Sequence, residues 1–313
     1  MRITFLGTSA GVPTRSRNVS CVGLRLPQRG EVWLFDCGEG TQHQLLKSDL
    51  KISQITRIFI THLHGDHLFG LVGLLASAGM AGHARSIDVY GPPGLEEYMQ
   101  EVTLRSETHF SYRAEAHTVE TGTVFEDDEF IVACQPLKHR IQTFGYRVLE
   151  RDRPGAFDVE KARAMGIPSG PLYGRLKRGE RVRLTDGREI DGRDFCGATV
   201  SGRRIAYCTD TIYCRSAVEL ARDADVLIHE ATYAQADEEL ARRSLHSTSR
   251  MAARVALEAE ARQLLLTHIS PRYMVGNPIE PDDLLAEARA VFPDTEMAHD
   301  FLMVEVPRRL PAS

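Results

Sequence analysis

The sequence predicts an α+β fold: two facing mixed β-sheets with helices outside, one domain over residues 1–313 carrying an inserted flexible arm at 150–194. Three observations predict it. Short apolar runs of strand character recur along the chain, separated by turns or by apolar stretches of helical length. Several of these runs end on a histidine or an acid, the way loops at strand ends carry functional groups on a rigid scaffold. Between Glu150 and Asp194 apolar content drops while glycine, proline and charge rise, which sets that segment outside the main layers.

The elements follow in chain order. Ile3 to Leu6, Cys21 to Leu26 and Val32 to Phe35 read as strands, with the polar, glycine-rich loop Gly7 to Asn18 after the first and Gln28-Arg29-Gly30 turning the second into the third. Asp36 to Gln42 is a tight acidic turn and Gln42 to Ser48 a short helix. Arg57 to Ile60 is a buried strand, and Leu68 to Ala81 a buried helix. Ile87 to Tyr90 is a strand and Leu95 to Thr103 a helix; charged turns between short β segments fill Thr118 to Phe130. Ile131 to Gln135 and Phe144 to Leu149 are strands. After the arm come strands at Arg204 to Cys208, Ala224 to Ile228, Gln263 to Leu266 and Phe301 to Val306. Helices are expected at His246 to Glu258, with Ser247 or Thr248 as cap, and at Asp282 to Val291.

The composition, 42% hydrophobic and 26% charged over 313 residues, is that of a soluble globular chain with ample core. A net charge of -5 gives no global pull toward nucleic acid, so such a partner needs a local basic patch. The arm supplies one. Between Leu172 and Arg188, Arg175, Lys177, Arg178, Arg181, Arg183 and Arg188 stand against Glu180 and Asp186. That segment reads either as a solvated insertion or as an arm that meets a polyanion. Six scattered cysteines without a Cys-x-x-Cys pair suit reduced thiols in a cytoplasmic protein. Met1 to Gly7 starts like a strand, so no export signal is expected. Leu68 to Ala81 is the nearest approach to a membrane span and is too short, so no membrane partner is expected.

Chemistry concentrates in Thr61-His62-Leu63-His64-Gly65-Asp66-His67. A solvated loop explains one or two histidines; it explains three and an aspartate at a strand end poorly. Imidazole with carboxylate suits zinc, iron or manganese. His62 and His64 are two apart, so in an extended segment both point the same way. Asp66 and His67 follow Gly65, which lets the chain turn before the helix. His139, Asp210, His229 and His268 each come just after an apolar strand. Together these residues are enough for two metals, and one aspartate can bridge both ions. His229 reads as a packing residue; His43, His83, His109, His117 and His299 read as ordinary polar residues. Asp36 and Glu39 read as braces for the ligand histidines.

The histidine run resembles the signature of the metallo-β-lactamase superfamily, whose fold is an αββα sandwich. Within it the chain resembles the ribonuclease Z family of tRNA 3′-processing endonucleases. The motifs that carry this are the opening loop, Asp36 to Gln42, Gly166 to Gly174 with the basic stretch after it, His229-Glu230-Ala231-Thr232, His246-Ser247-Thr248 and Thr267 to Tyr273. The resemblance implies two zinc ions, with manganese or iron as substitutes. One is held by His62, His64, His139 and Asp210, the other by Asp66, His67, His268 and the bridging Asp210. It implies a hydroxide that attacks the phosphorus after the discriminator nucleotide, Asp66 as the base that orients it, and His246, oriented by Glu230, as the acid for the leaving 3′-oxygen. The products are a tRNA 3′-hydroxyl and a trailer 5′-phosphate. It further implies a homodimer, an exosite arm whose Arg175, Lys177, Arg178, Arg181 and Arg183 meet tRNA phosphates, and a loop near the cut. In that loop, Pro13 to Asn18, Arg15 stands where the family usually has lysine, and Arg17 follows; arginine keeps the charge with another donor geometry. Two other readings stay open: a small-ester or phosphodiester hydrolase of the same superfamily, and a non-catalytic RNA-binding module.

Overall fold

The computed structural model describes residues 1–83 and 85–309. Contacts divide the chain into two compact units. The first comprises Met1–Glu126, Ile131–Val148 and Arg204–Val306; the second comprises Asp127–Phe130, Leu149–Arg203 and the described residues 307–309.

The first unit holds two seven-stranded sheets. One is built from β1 (Arg2–Gly7), β2 (Cys21–Leu26), β3 (Glu31–Phe35), β4 (Ile55–Phe59), β5 (Ile87–Gly91) and β6 (Ala114–Thr118). The other is built from β7 (Gly122–Glu126), β8 (Phe130–Leu137) and β9 (Thr143–Glu150), then, past a separate hairpin of β10 (Arg181–Arg183) and β11 (Glu189–Asp191), from β12 (Arg204–Cys208), β13 (Val226–Glu230), β14 (Leu264–Thr267) and β15 (Thr295–Met297). The last strand, β16 (Met303–Glu305), returns to the first sheet. The spatial orders are β16-β1-β2-β3-β4-β5-β6 and β15-β14-β13-β12-β9-β8-β7. In each sheet a parallel run, β3 to β6 and β12 to β15, carries the strands whose carboxyl ends lead into the polar loops.

Aromatic rings join the two sheets. Parallel register aligns Phe35 with Phe59 and Phe59 with Tyr90, and their rings stack at 5.2 and 5.1 Å. From the other sheet Tyr146 and Tyr207 meet Phe35 at 6.2 and 5.5 Å, and Tyr146 meets Phe59 at 5.4 Å. Tilted aromatic contacts add to the burial of large apolar area. The Tyr146 hydroxyl donates to the Ile60 carbonyl at 2.8 Å. These rings lie one residue before Asp36 and three before His62, so the core grips the strand ends that carry the polar groups.

Helices cover the outer faces. α1 (Thr41–Lys47), α2 (Gly65–Leu68), α3 (Leu71–Met80) and α4 (Leu95–Arg105) belong to the first half. Leu71, Leu74, Leu75 and Ala78 of α3 pack with Ile58, Ile87 and Val89. The second unit holds α5 (Val159–Ala164) and α6 (Pro171–Lys177). α7 (Arg215–Ala221), α8 (Glu238–Ser244), α9 (Ser249–Glu258) and α10 (Pro281–Arg289) follow. Alanines on α9 let that helix sit close over Leu227, Leu264 and Leu266. No helix among the described residues is long and apolar enough to cross a membrane. All six cysteines are unpaired.

The structure departs from the sequence reading in several places. The helix expected from Leu68 to Ala81 is two helices, and the first starts at Gly65, so Asp66 and His67 lie in its first turn. The break has a steric cause. Gly70 presses on the acidic turn, where a Cβ would come within 2.1 Å of the Gly38 carbonyl. Its N–H donates to the Cys37 carbonyl at 2.9 Å. The helix expected from His246 starts at Ser249, because the Thr248 hydroxyl accepts from the Met251 N–H and caps it; His246 stays in the preceding loop. α7, α8, β6 and β15 were not anticipated.

Gly166 to Gly174 reads as too punctuated for a core element, yet Pro171 opens α6, where no N–H is required of it, and Leu176 of that helix is fully buried. Ala162, Ile167, Leu176, Val182, Leu184, Ile190 and Phe195 form a core cluster of their own. Its members are so widely spaced in sequence that no periodic run betrays them.

Replacing Gly70 with alanine overpacks this contact. A loss of about 1–3 kcal/mol of stability is expected, read from the urea midpoint; an unchanged midpoint means the turn yields without cost.

Candidate metal centre

Strand ends of the parallel runs converge with the loop after β8. β3 delivers Asp36; β4 delivers Thr61, His62 and His64; the loops after β8, β12 and β14 deliver His139, Asp210 and His268. Two donor sets result. The ligand atoms of His62, His64, His139 and Asp210 lie within 4.8 Å of one another, as do those of Asp66, His67 and His268. Asp210 divides its oxygens between them. Its Oδ2 lies 3.4 Å from His62 Nε2 and 3.7 Å from His139 Nε2. Its Oδ1 lies 3.2 Å from His67 Nε2 and 3.1 Å from His268 Nε2. Asp66 Oδ2 is 3.4 Å from both His67 and His268.

Each ring is oriented from behind. The Nδ1 of His62 lies 2.9 Å from the Thr61 hydroxyl, that of His67 2.8 Å from Asp36 Oδ2, that of His139 3.2 Å from the Leu245 carbonyl and that of His268 2.9 Å from the Thr232 hydroxyl. With Nδ1–H donating in each case, four Nε2 lone pairs face inward. His64 is turned the other way: its Nδ1 sits 3.0 Å from His62 Nε2 and 3.4 Å from His139 Nε2. Three ring nitrogens at this spacing cannot all carry protons, and a cation resolves the conflict.

Charge points the same way. Burial lowers the pKa of His62, His64 and His139 and keeps them neutral, the form that ligates. Burial also works against a charge on His67, but Asp210 and Asp36 outweigh it and push its pKa well up. A field that favours a proton between two carboxylates favours a metal there. Burial likewise opposes the charge on Asp66, while hydrogen bonds from His268 and His67 hold it far below the usual carboxylate range. The donor chemistry therefore fits a divalent metal.

Backbone strain is stored here. Asp36, Asp210 and His268 adopt φ of 60°, 48° and 57°, a region that non-glycine residues enter at a cost of ~1–3 kcal/mol and that clusters at functional sites. Asp36 is the brace. Its Oδ1 accepts from the Thr61 N–H at 2.8 Å and the Thr61 hydroxyl at 2.9 Å. Its Oδ2 accepts from His67 and, at 2.9 Å, from the Tyr207 hydroxyl. Glu39, expected beside it in that role, is exposed, and only its carbonyl is used, by Asn18.

A second pair adjoins the donor sets. His246 Nδ1 donates to Glu230 Oε1 at 2.8 Å, and its ring stacks on His268 at 5.5 Å. Burial opposes a charge on His246, but Glu230 wins and pushes its pKa up to about 9. Glu230 also accepts from the Thr211 N–H and the Thr232 hydroxyl at 2.7 and 2.5 Å, so it is fixed before any substrate arrives.

Other expected residues fall as follows. His229 points away from the site; its Nδ1 donates to the Glu230 carbonyl at 2.8 Å. Arg15 is exposed. Arg17 serves the loop itself, donating to the Thr8 hydroxyl at 2.8 Å and the Ala298 carbonyl at 2.6 Å. In the second unit Arg175 and Arg178 share Glu180 at 2.9 and 2.8 Å, and Arg181 meets Asp191 at 3.0 Å; Lys177 and Arg183 are exposed. His117 stands with Asp88 and Glu115 at ligand spacing. There Glu115 pairs with Arg113 and His117 donates to Asp88, so the group is satisfied without a cation.

Thr61, Thr232, Tyr207 and the Leu245 carbonyl were missed as orienting groups. Thr61 and Thr232 flank the motifs and were within reach of a sequence argument. Tyr207 and Leu245 carry no local signal.

Comparison places this geometry among known proteins. The chain is 64% identical over 310 residues to a protein named ribonuclease Z from a Cyanothece species, covering 99% of this chain and 97% of that one. It is 65% identical over 309 residues to a ribonuclease Z from a Nostoc species, covering 99% and 96%. The crystal structure of the short form of human tRNase Z matches with a TM-score of 0.69 and 32% identity, covering 98% of this chain and all of that one. Residues 173–269 match the family described as Beta-lactamase superfamily domain, and residues 1–143 the family described as Anti-Pycsar protein Apyc1. The fold is the metallo-β-lactamase sandwich.

Changing Asp36 to asparagine removes one charge and leaves the shape. Metal affinity is expected to fall about 10–100-fold, measured by competition with a chromophoric chelator; unaltered affinity would show that Asp36 serves folding alone.

Proposed function

Because this chain belongs to the ribonuclease Z family, we propose that it is a zinc-dependent endoribonuclease that removes the 3′ trailer from precursor tRNA. It leaves a tRNA 3′-hydroxyl and a trailer 5′-phosphate. The observation that carries this is the division of the two Asp210 oxygens between two donor sets, with a charged His246–Glu230 pair at their border. A pair of cations held by two such adjoining sets would suit an in-line displacement at phosphorus.

His62, His64, His139 and Asp210 would hold one zinc and Asp66, His67, His268 and Asp210 the other, with manganese or iron able to substitute. Zinc bound there would supply water with a pKa of about 7 and draw charge from the phosphoryl oxygens. This chain's own groups do the rest. Asp66, fixed by the Gly11 N–H at 2.9 Å, orients the attacking water. His246, protonated at neutral pH, gives its proton to the leaving 3′-oxygen, and Glu230 keeps its Nδ1 occupied so that Nε2 is the donating atom.

The substrate is a polyanion, which the exposed cations of Arg15, Arg175, Lys177, Arg178, Arg181 and Arg183 suit. Glu180 and Asp191 neutralise part of that charge without cancelling it. The protein acts in the cytoplasm, where its six unpaired thiols persist. It acts as a homodimer. Leu46 on α1, Phe69 just before α3 and Met80 at its end are exposed by 84%, 63% and 84%, large apolar side chains that a subunit contact would cover. A small-diester hydrolase would share the metal residues but has no use for the basic arm.

Four outcomes are expected. His246→Ala slows precursor cleavage by about 10²- to 10⁴-fold with metal content intact; loss of metal would mean that its role is ligation. The wild-type rate falls as pH rises through about 9, because the acid form of His246 is the active one. Glu230→Gln moves that limb down toward the ordinary histidine range, visible in a pH–rate profile. Deleting residues 150–194 abolishes precursor cleavage while hydrolysis of bis(p-nitrophenyl) phosphate continues; unimpaired tRNA processing would remove the arm from the reading.

A further inference from the structure

Tyr233 and Arg272 take no part in holding metal or moving a proton, yet both stand beside the acid. The Tyr233 ring lies edge-on to His246, centroids 6.2 Å apart. Its backbone is zipped to the loop that carries His246: the Tyr233 N–H donates to the Ser247 carbonyl at 3.1 Å and the Ser249 N–H to the Tyr233 carbonyl at 2.9 Å. The ring therefore keeps its place relative to the proton donor.

Arg272 lies over the same ring, its guanidinium carbon 5.5 Å from the centroid, within cation–π range. Three residues separate it from His268. Asn277 donates to its carbonyl at 2.7 Å, which fixes its backbone. Its acidic neighbour is weakly engaged: Asp237 is 3.9 Å away, and the same Asp237 oxygen already accepts from the Tyr273 hydroxyl. The cations of the second unit, by contrast, meet their acids at 2.7–3.0 Å. Arg272 is thus a half-exposed, poorly neutralised guanidinium over an aromatic ring, one ring away from the group that serves the leaving oxygen.

A planar guanidinium with free N–H edges is matched to phosphate, which it takes by two parallel hydrogen bonds. The leaving oxygen belongs to a nucleoside whose own 5′-phosphate is the next anion along the strand. We propose that Tyr233 and Arg272 form a clamp for that phosphate, the one that precedes the leaving nucleoside, and so favour an RNA strand over a small diester. This rests on the reading that the site cleaves RNA.

The test uses the full-length zinc-loaded protein and a precursor tRNA with one neutral methylphosphonate at the linkage 5′ to the leaving nucleoside. For the unmodified precursor, Arg272→Ala is expected to lower kcat/KM by about 10- to 100-fold and to reduce the log–log salt slope by about 1. It lowers hydrolysis of bis(p-nitrophenyl) phosphate far less. The methylphosphonate lowers cleavage by the wild-type protein by a similar factor and costs Arg272→Ala nothing further. Tyr233→Phe retains the ring and most of the activity; Tyr233→Leu behaves like Arg272→Ala. If the two losses multiply, or if small-diester hydrolysis falls in step, the clamp is overturned and the RNA reading stands. If the wild-type protein does not cut the precursor, the RNA reading falls and takes the clamp with it.

Discussion

The centre depends on one buried carboxylate. Asp36 has no exposed surface, and a buried charge is tolerated only when its lone pairs are satisfied. Four donors satisfy it: the Thr61 N–H, the Thr61 hydroxyl, His67 and Tyr207. Those donors come from three parts of the chain and from both sheets. The acid therefore fixes a ligand of one donor set directly, through His67, and a ligand of the other at one remove, through Thr61 and His62. Asp36 is thus linked to both donor sets.

The same economy governs Asp210 and Glu230. Asp210 offers one oxygen to each donor set, so a single rigid carboxylate ties the two sets together. Glu230 is occupied by Thr211, Thr232 and His246, and Thr232 also reaches His268. Glu230 and His268 are thereby tied to one hydroxyl. Positive φ at Asp36, Asp210 and His268 shows what this demands of the backbone: three turns sharper than the strands would otherwise make, held by the hydrogen bonds they enable.

Charge is sorted by surroundings. His62, His64, His139 and His246 are all imidazoles near one another. Burial lowers the pKa of the first three, while Glu230 raises that of the fourth. One residue type thus takes different charge according to its burial and the carboxylates in reach; His67, between Asp210 and Asp36, is pushed up as His246 is.

Much was legible in the amino-acid order. Alternating apolar runs ending in His62, His139, Asp210 and His268 announced two layers and a metal-binding edge, because strand geometry makes chain order a guide to which end a residue occupies. The histidine run was legible for the same reason: all its members are local. Other features lay beyond any local signal. The break at Gly70 comes from a carbonyl thirty residues upstream. The core of the 150–194 segment is assembled from residues too scattered to show a period. Tyr207 braces Asp36 across the gap between sheets, and Arg17 turns inward to Ala298. The sequence by itself determined which chemical groups the protein has and roughly where each strand ends. Only the tertiary structure decided which of them meet, since packing of two sheets sets distances that no spacing along the chain encodes.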